Sequence, residues 1–128
     1  MVAVDTNVLV RLLVGDDPDQ HRAARSLFQR ENVFIPDTVL LESEWVLRRA
    51  FQFESAEVCS ALRHVCGLPN VSLRDAGLVA QIIDWHEAGL DFADAMHLAT
   101  SGEVAFRTFD REFIKRARKL TGCPVEAP

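Results

Sequence analysis

The sequence lacks the features that mark secreted and membrane proteins. It has only three cysteines, an odd number at no metal-ligand spacing, which favours a reducing compartment over a disulfide framework. No secretory signal is visible at the N-terminus, and no apolar run approaches the length that spans a bilayer. We therefore expect a cytoplasmic protein with no membrane partner.

Positive charge and glycine-rich phosphate loops are also scarce. The formal net charge is −5, so overall electrostatics do not favour a nucleic-acid partner, which would have to be bound by local basic patches or through metal ions. No G-x-G-x-x-G sequence follows the first apolar run, which argues against a dinucleotide-binding domain. The four histidines are scattered and indicate no zinc site.

The chain has the composition of one globular domain. Hydrophobic residues make up 48% and charged residues 26% of its 128 residues, enough for a core of its own. We find no repeat, low-complexity segment or linker, and predict a single domain over residues 1–128.

Short apolar runs alternate with segments of helical periodicity. The runs predicted to be strands end at Val4, Ile35, Leu73, Phe109 and Val125. The predicted helices begin at Thr6 or Asn7, after Asp17, and near Thr38, Ser55, Asp75, Leu90 and Arg111. This alternation predicts an α/β fold with a parallel sheet and helices on both faces.

Two of the predicted strands are followed directly by an acid. Asp5 follows Val4, and Asp110 follows Phe109. Because the carboxyl ends of parallel strands lie at one edge of a sheet, we expect both carboxylates to open into one cleft. The alternative for Asp5 is a helix N-cap, a position that aspartate favours.

Further acids lie within the apolar helices. Asp94 is surrounded by apolar residues, where an ionised side chain is costly unless it is paired or binds a metal. Asp91 is three residues earlier on the same face, although an N-cap is the favoured interpretation for it. Periodicity does not separate Glu42 from Glu44, since both have apolar neighbours three or four residues away.

Carboxylates gathered in one pocket repel each other, and a divalent cation removes the conflict. Sites made only of carboxylate oxygens favour Mg²⁺ or Mn²⁺, which take phosphate oxygens and water as their remaining ligands. Such an ion acidifies a bound water and stabilises the charge that develops at phosphorus. The pattern therefore indicates metal-assisted hydrolysis of phosphodiester bonds.

Four segments of the chain match a known family. They are Val4–Leu9, Leu41–Leu47, Asp91–Ala95 and Thr108–Phe113. In order and spacing the chain resembles a PIN-domain protein, and more closely the VapC-type toxins of prokaryotic toxin–antitoxin pairs. The resemblance implies a three-layer α/β/α fold with a central parallel sheet and a Mg²⁺- or Mn²⁺-dependent ribonuclease site.

The resemblance also implies roles for individual residues and partners. It places the family's catalytic, metal-binding acids on Asp5, Glu42, Asp94 and Asp110, and so favours Glu42 over Glu44. It places supporting polar groups at Asn7 and Thr108, with Asp91 and Glu112 nearby; the local alternatives are cap, strand-end and solvated positions. It further implies an RNA substrate, a VapB-type antitoxin and a homodimer.

A basic segment follows the last acid. Residues 107–119 contain six basic and two acidic side chains, and Arg111, Lys115 and Arg118 share one helix face beside Asp110. These cations are suited to RNA phosphates. The alternative is a solvated helix whose cations favour its C-terminal end.

Other functions of an acidic α/β domain fit the residues less well. An aspartyl-phosphate phosphatase is expected to have a second aspartate at position 7, which is Asn7, and a lysine deeper in the chain. A phosphate-accepting receiver domain needs a strand-end lysine, and the chain has only Lys115 and Lys119. A PIN-like chain that only binds its partners stays open.

Overall fold

Seven helices and five two-residue strands alternate along the chain in the computed structural model, which describes residues 1–128. The strands are β1 (Val2–Ala3), β2 (Val33–Phe34), β3 (Val71–Ser72), β4 (Phe106–Arg107) and β5 (Val125–Glu126). The helices are α1 (Thr6–Val14), α2 (Pro18–Arg30), α3 (Asp37–Ala50), α4 (Ser55–Cys66), α5 (Ala76–Glu87), α6 (Phe92–Thr100) and α7 (Arg111–Leu120). The predicted α/β class with parallel strands is confirmed.

The chain divides into two compact units, Met1–Ala76 and Gly77–Pro128. The first contains a parallel sheet in the order β1-β2-β3, in which Val33 pairs with Val2 on one side and Val71 on the other. Helix α1 packs against α2 and α3, and α3 packs against α4. Its core consists of fully buried side chains from the sheet and these helices, among them Leu9, Ile35, Leu40, Leu47 and Leu62.

The second unit is built around a smaller parallel pair. Strand β4 pairs with β5, and α7 connects them and packs against β5, as a parallel crossover requires. Buried side chains of α5, α6 and the turn between them form its core, including Ile82, Ile83, Leu90, Phe92 and Leu98. Whether residues 1–128 fold as one domain stays a prediction.

Most helix ends follow the local signals in the sequence. Asp17 caps α2 through its side chain, and Gly15 ends α1 in the left-handed region at φ 73°. Helix α4 begins at Ser55, as expected, and Glu54 is the residue that caps it. The Glu54 N–H donates to the Glu57 carboxylate at 2.9 Å.

The strand predicted to end at Phe109 is shorter than expected. Only Phe106 and Arg107 are paired as a strand, while Val104 and Phe109 are 70% and 86% exposed. An apolar run alone does not reveal which of its side chains lack a packing partner. The predicted strand was wrong in length but right in position. Because the observed strand ends at Arg107, the ring of Phe109 is left exposed to solvent next to Asp110 in the chain.

All three cysteines are free thiols, as the sequence predicted. Burial raises the pKa of Cys66 to about 11, so its thiol stays protonated at neutral pH. None of the helices combines the length and the apolar composition that a membrane span requires.

Candidate functional site

Asp5 lies between β1 and α1. Its Oδ1 accepts a hydrogen bond from the Val8 N–H at 3.1 Å, which makes it the N-cap of α1. The capping alternative is therefore confirmed, but the cap occupies only one carboxylate oxygen. Oδ2 accepts no hydrogen bond from the protein, so the cap leaves one oxygen of an exposed carboxylate available to a ligand.

Thr6 connects this strand end to α3. Its hydroxyl donates a short hydrogen bond to Oε1 of Glu42, 36 residues further along the chain. Glu42 is exposed and therefore meets solvent beside the residue that follows Asp5. The structure thus brings two of the four predicted acids to the start of α1, while the exposed Asn7 lines the groove that α1 forms with α2.

The structure separates Glu42 from Glu44, which periodicity could not. Glu44 is 2% exposed and accepts from Arg48 Nε at 2.9 Å and from Nη2 at 3.4 Å. A buried carboxylate that is paired in this way holds its own helix in place. Glu42 alone of the two presents its carboxylate to solvent.

A second group of acids lies in the unit Gly77–Pro128. Asp91, Asp94, Asp110 and Glu112 line one cavity of about 370 Å³, together with Leu90, Phe113 and Arg116. Asp91 caps α6, accepting from the Asp94 N–H at 3.0 Å, and Asp110 caps α7, accepting from the Phe113 N–H at 3.1 Å. The caps hold two carboxylates at helix N-termini in the same cavity as Asp94.

The pKa of Asp94 is raised above its ordinary value. Burial is the largest cause, followed by the negative charges of Asp91 and Asp110, while His97 lowers it. Like charges that face each other across a cavity favour protonation or a bound cation. The negative charges of Asp91 and Asp110 are therefore crowded around Asp94, whereas the gathering of Asp5 and Glu42 with them stays a prediction.

This crowding predicts a pH-dependent stability. Because the pKa of Asp94 is higher in the folded than in the unfolded chain, its contribution is full below the unfolded pKa and is lost as pH rises through the folded pKa. At neutral pH in EDTA, Asp94→Asn should melt higher than wild type, by roughly 1–3 °C, since partial exposure screens the repulsion. Thermal melts at pH 4.5 and 7.5 measure this. A variant that melts no higher at pH 7.5 would contradict it.

Thr108 positions Asp110. Its N–H donates to the Glu126 carbonyl at 3.1 Å, and its hydroxyl accepts from the Asp110 N–H at 3.0 Å. The strand end and the N-cap of α7 are thereby joined by one side chain. The supporting role that the resemblance implied for Thr108 stays a prediction.

Arg116 is the residue at this cavity that sequence reasoning missed. Its guanidinium lies 3.7 Å from the Glu112 carboxylate and donates to the Gly89 carbonyl at 3.1 Å. Its spacing of four residues from Glu112 was the available signal. Arg116 partly compensates the negative charge of the cavity and connects α7 to the loop that precedes α6.

The acids of this chain match the ligand preference of a hard divalent cation. The acids supply only oxygen ligands, which suit Mg²⁺ or Mn²⁺, and the mutual repulsion around Asp94 is what a cation would relieve. As the side chains stand, no group of three or more His, Cys, Asp or Glu is arranged to hold a metal ion. The carboxylate oxygens are thus of the type that Mg²⁺ or Mn²⁺ binds. That Asp5, Glu42, Asp94 and Asp110 converge on one ion stays a prediction.

The basic face of α7 is exposed. Arg111, Lys115, Arg118 and Lys119 line one groove with Ile114. Arg118 donates to the Val125 carbonyl at 3.2 Å, whereas Arg111, Lys115 and Lys119 form no ion pair. These three cations are free to bind an anionic ligand.

Comparisons with known proteins identify the family. The PIN-domain family model matches residues 2–119. Among solved structures, the chain is similar to the VapC20 toxin of Mycobacterium tuberculosis, described as a sarcin-ricin loop cleaving toxin, with 22% identity and a TM-score of 0.47. The match covers 88% of this chain and 92% of that one. No curated protein matches significantly. With almost its whole length matched by the family model, the chain belongs to the PIN-domain family.

Proposed function

We propose that this protein is a metal-dependent endoribonuclease that hydrolyses RNA phosphodiester bonds, and that it is the VapC-type toxin of a type II toxin–antitoxin pair. The observation that carries the proposal is the crowded carboxylate cavity around Asp94 in a chain that belongs to the PIN-domain family. Mutual repulsion among acids does not stabilise the protein without a ligand. The arrangement therefore indicates a ligand that requires clustered carboxylates, such as a cation.

The proposed metal ligands are the acids Asp5, Glu42, Asp94 and Asp110. A bound Mg²⁺ or Mn²⁺ would acidify and orient the attacking water and stabilise negative charge on the phosphate. Both caps leave one carboxylate oxygen of Asp5 and of Asp110 without a protein partner, which supports their role as ligands. One ion and two ions are equally compatible with four carboxylates.

Neighbouring residues would hold these ligands in place. Thr6 fixes the Glu42 carboxylate, and Thr108 fixes the backbone of Asp110. Such outer hydrogen bonds orient ligands before a metal binds and reduce the reorganisation that binding requires. Asp91 and Glu112 would add negative charge around the site, while Asn7 would add a polar group at the start of α1.

RNA would be held by its phosphates. Arg111 and Lys115 are exposed and unpaired on the helix that Asp110 caps, and Arg118 lies on the same groove. With a net charge of −5, the protein would depend on such a local patch, so binding should weaken as salt increases. From the family resemblance we also propose a VapB-type antitoxin as partner and a homodimeric assembly, and from the sequence composition a cytoplasmic location.

The proposal is tested by incubating the purified protein with single-stranded and structured RNA in Mg²⁺, Mn²⁺ or EDTA. We expect cleavage with either metal, none in EDTA, and recovery when excess metal is added back. Cleavage that persists in EDTA would refute the metal role.

A second candidate is a PIN-domain chain that only binds RNA or a protein partner. The observation in its favour is that no three acids are arranged to hold a metal ion. RNA that is bound yet stays intact with every metal would establish this candidate instead of the nuclease.

A further inference from the structure

Phe109 is the most exposed of the large apolar side chains, at 86%, and it directly precedes Asp110. A single exposed apolar residue is common on protein surfaces and implies nothing by itself. Two further observations bear on this ring: the backbone on both sides of it is hydrogen-bonded, and unpaired cations follow it on α7.

The backbone on both sides of Phe109 is fixed. Thr108 continues the pairing with β5 through its N–H, and the Asp110 N–H donates back to the Thr108 hydroxyl at 3.0 Å. Asp110 then caps α7 through the Phe113 N–H. The backbone that carries the ring is therefore held by hydrogen bonds next to the cap of α7, although the ring makes no packing contribution to the core.

Unpaired cations follow the ring. Arg111 and Lys115 are exposed and form no ion pair, whereas Arg107 lies 3.6 Å from the Glu126 carboxylate. Apolar protein segments dock on broad apolar patches, but the residues on either side of Phe109 are polar or charged. An exposed aromatic ring at the start of a helix that carries unpaired cations is instead suited to a nucleobase and its phosphates.

We infer that Phe109 stacks on an unpaired base of the RNA, while Arg111 and Lys115 bind the adjoining phosphates. The inference rests on the proposed nuclease function and adds to it a residue that positions the substrate through one of its bases. Bases within an uninterrupted A-form duplex present no free face to a protein ring. Phe109 is thus a positioning residue for substrate and takes no part in the chemistry.

The test compares Phe109→Ala, Phe109→Leu and Phe109→Tyr with wild type and with Val104→Ala, a control at another exposed apolar position. Binding is measured in EDTA by anisotropy with a labelled single-stranded RNA and with a duplex of the same sequence. A 2-aminopurine in the single strand reports stacking by quenching. Steady-state cleavage in Mg²⁺ gives kcat and KM, and thermal melts report folding.

We expect Phe109→Ala and Phe109→Leu to weaken single-strand binding and raise KM by about tenfold or more, with quenching lost and kcat nearly unchanged. Phe109→Tyr keeps an aromatic ring and should therefore retain both single-strand binding and the wild-type KM. Val104→Ala should match wild type, and the melting temperature should not change in any variant. Duplex binding should be nearly the same for all five proteins.

Three results would overturn the inference: full binding and unchanged KM in Phe109→Ala, full binding in Phe109→Leu, or duplex binding that falls as much as single-strand binding. A change in the association state of Phe109→Ala would assign the ring to a protein interface instead. Each of these leaves the nuclease proposal intact if wild type cleaves RNA. Failure of the wild type to bind and cleave any RNA would refute the proposed function itself.

Discussion

Asp94→Asn is expected to lower the cleavage rate by at least about a hundredfold while the protein stays folded. The substitution keeps the shape of the side chain and removes the charge that a divalent cation requires. The cap of α6 does not depend on it, because the Asp91 carboxylate accepts from the backbone of residue 94. We therefore expect α6 to stay capped in the variant, and the thermal melts of the same preparation check that it is folded.

The measurement is single-turnover cleavage at saturating enzyme, with Glu103→Gln as the matched control. Glu103 is exposed in the same unit and lies outside the acidic cavity, so its neutralisation should leave the rate within about twofold. An Asp94→Asn variant that cleaves at the wild-type rate would remove Asp94 from the metal site. Equal losses in both variants would point to overall charge as the cause.

Glu42→Gln and Glu44→Gln are expected to have opposite effects although the two residues are neighbours on α3. Glu42 is exposed, and its hydrogen-bond partner is the Thr6 hydroxyl. Its neutralisation should therefore reduce the cleavage rate at least about tenfold and change the free energy of unfolding by no more than about 0.5 kcal/mol. Glu44 is buried and paired with the partly exposed Arg48, so its neutralisation should cost on the order of 2 kcal/mol and spare the activity of the folded fraction.

Urea unfolding and single-turnover cleavage on the same preparations separate these outcomes. The informative comparison is the ratio of activity loss to stability loss for each variant. Activity lost in Glu44→Gln with unchanged stability, or stability lost in Glu42→Gln with unchanged activity, would reverse the assignment. Glutamate and glutamine have nearly the same shape, so a change in side-chain volume does not complicate either comparison.

The sequence predicted the helices well because their ends are local features. The caps at Asp17 and Asp91 and the stop at Gly15 depend on side-chain and backbone chemistry within four residues. The strands were found in place but not in length, since pairing depends on partners elsewhere in the chain. Phe109 shows the limit: nothing in its own segment reveals that no other side chain covers it.

Predictions for the candidate site divide in the same way. Asp5 and Asp110 could be proposed as candidates because each directly follows an apolar run. Both are helix caps, and in each of them the second carboxylate oxygen has no hydrogen-bond partner in the protein. Glu42 and Glu44 could not be separated by pattern, because burial and the pairing with Arg48 are tertiary facts. Arg116 was missed because its contact with the Gly89 carbonyl joins residues 27 positions apart.

The central claim is that the acids of this chain bind a divalent cation, and the most direct measurement is Mn²⁺ binding by the purified protein, followed by electron paramagnetic resonance. We predict saturable binding by wild type and by Glu103→Gln, competition by Mg²⁺, and at least tenfold weaker binding by Asp5→Asn and by Asp94→Asn. Equal affinity in all four proteins, or no binding by wild type at millimolar Mn²⁺, would contradict the account.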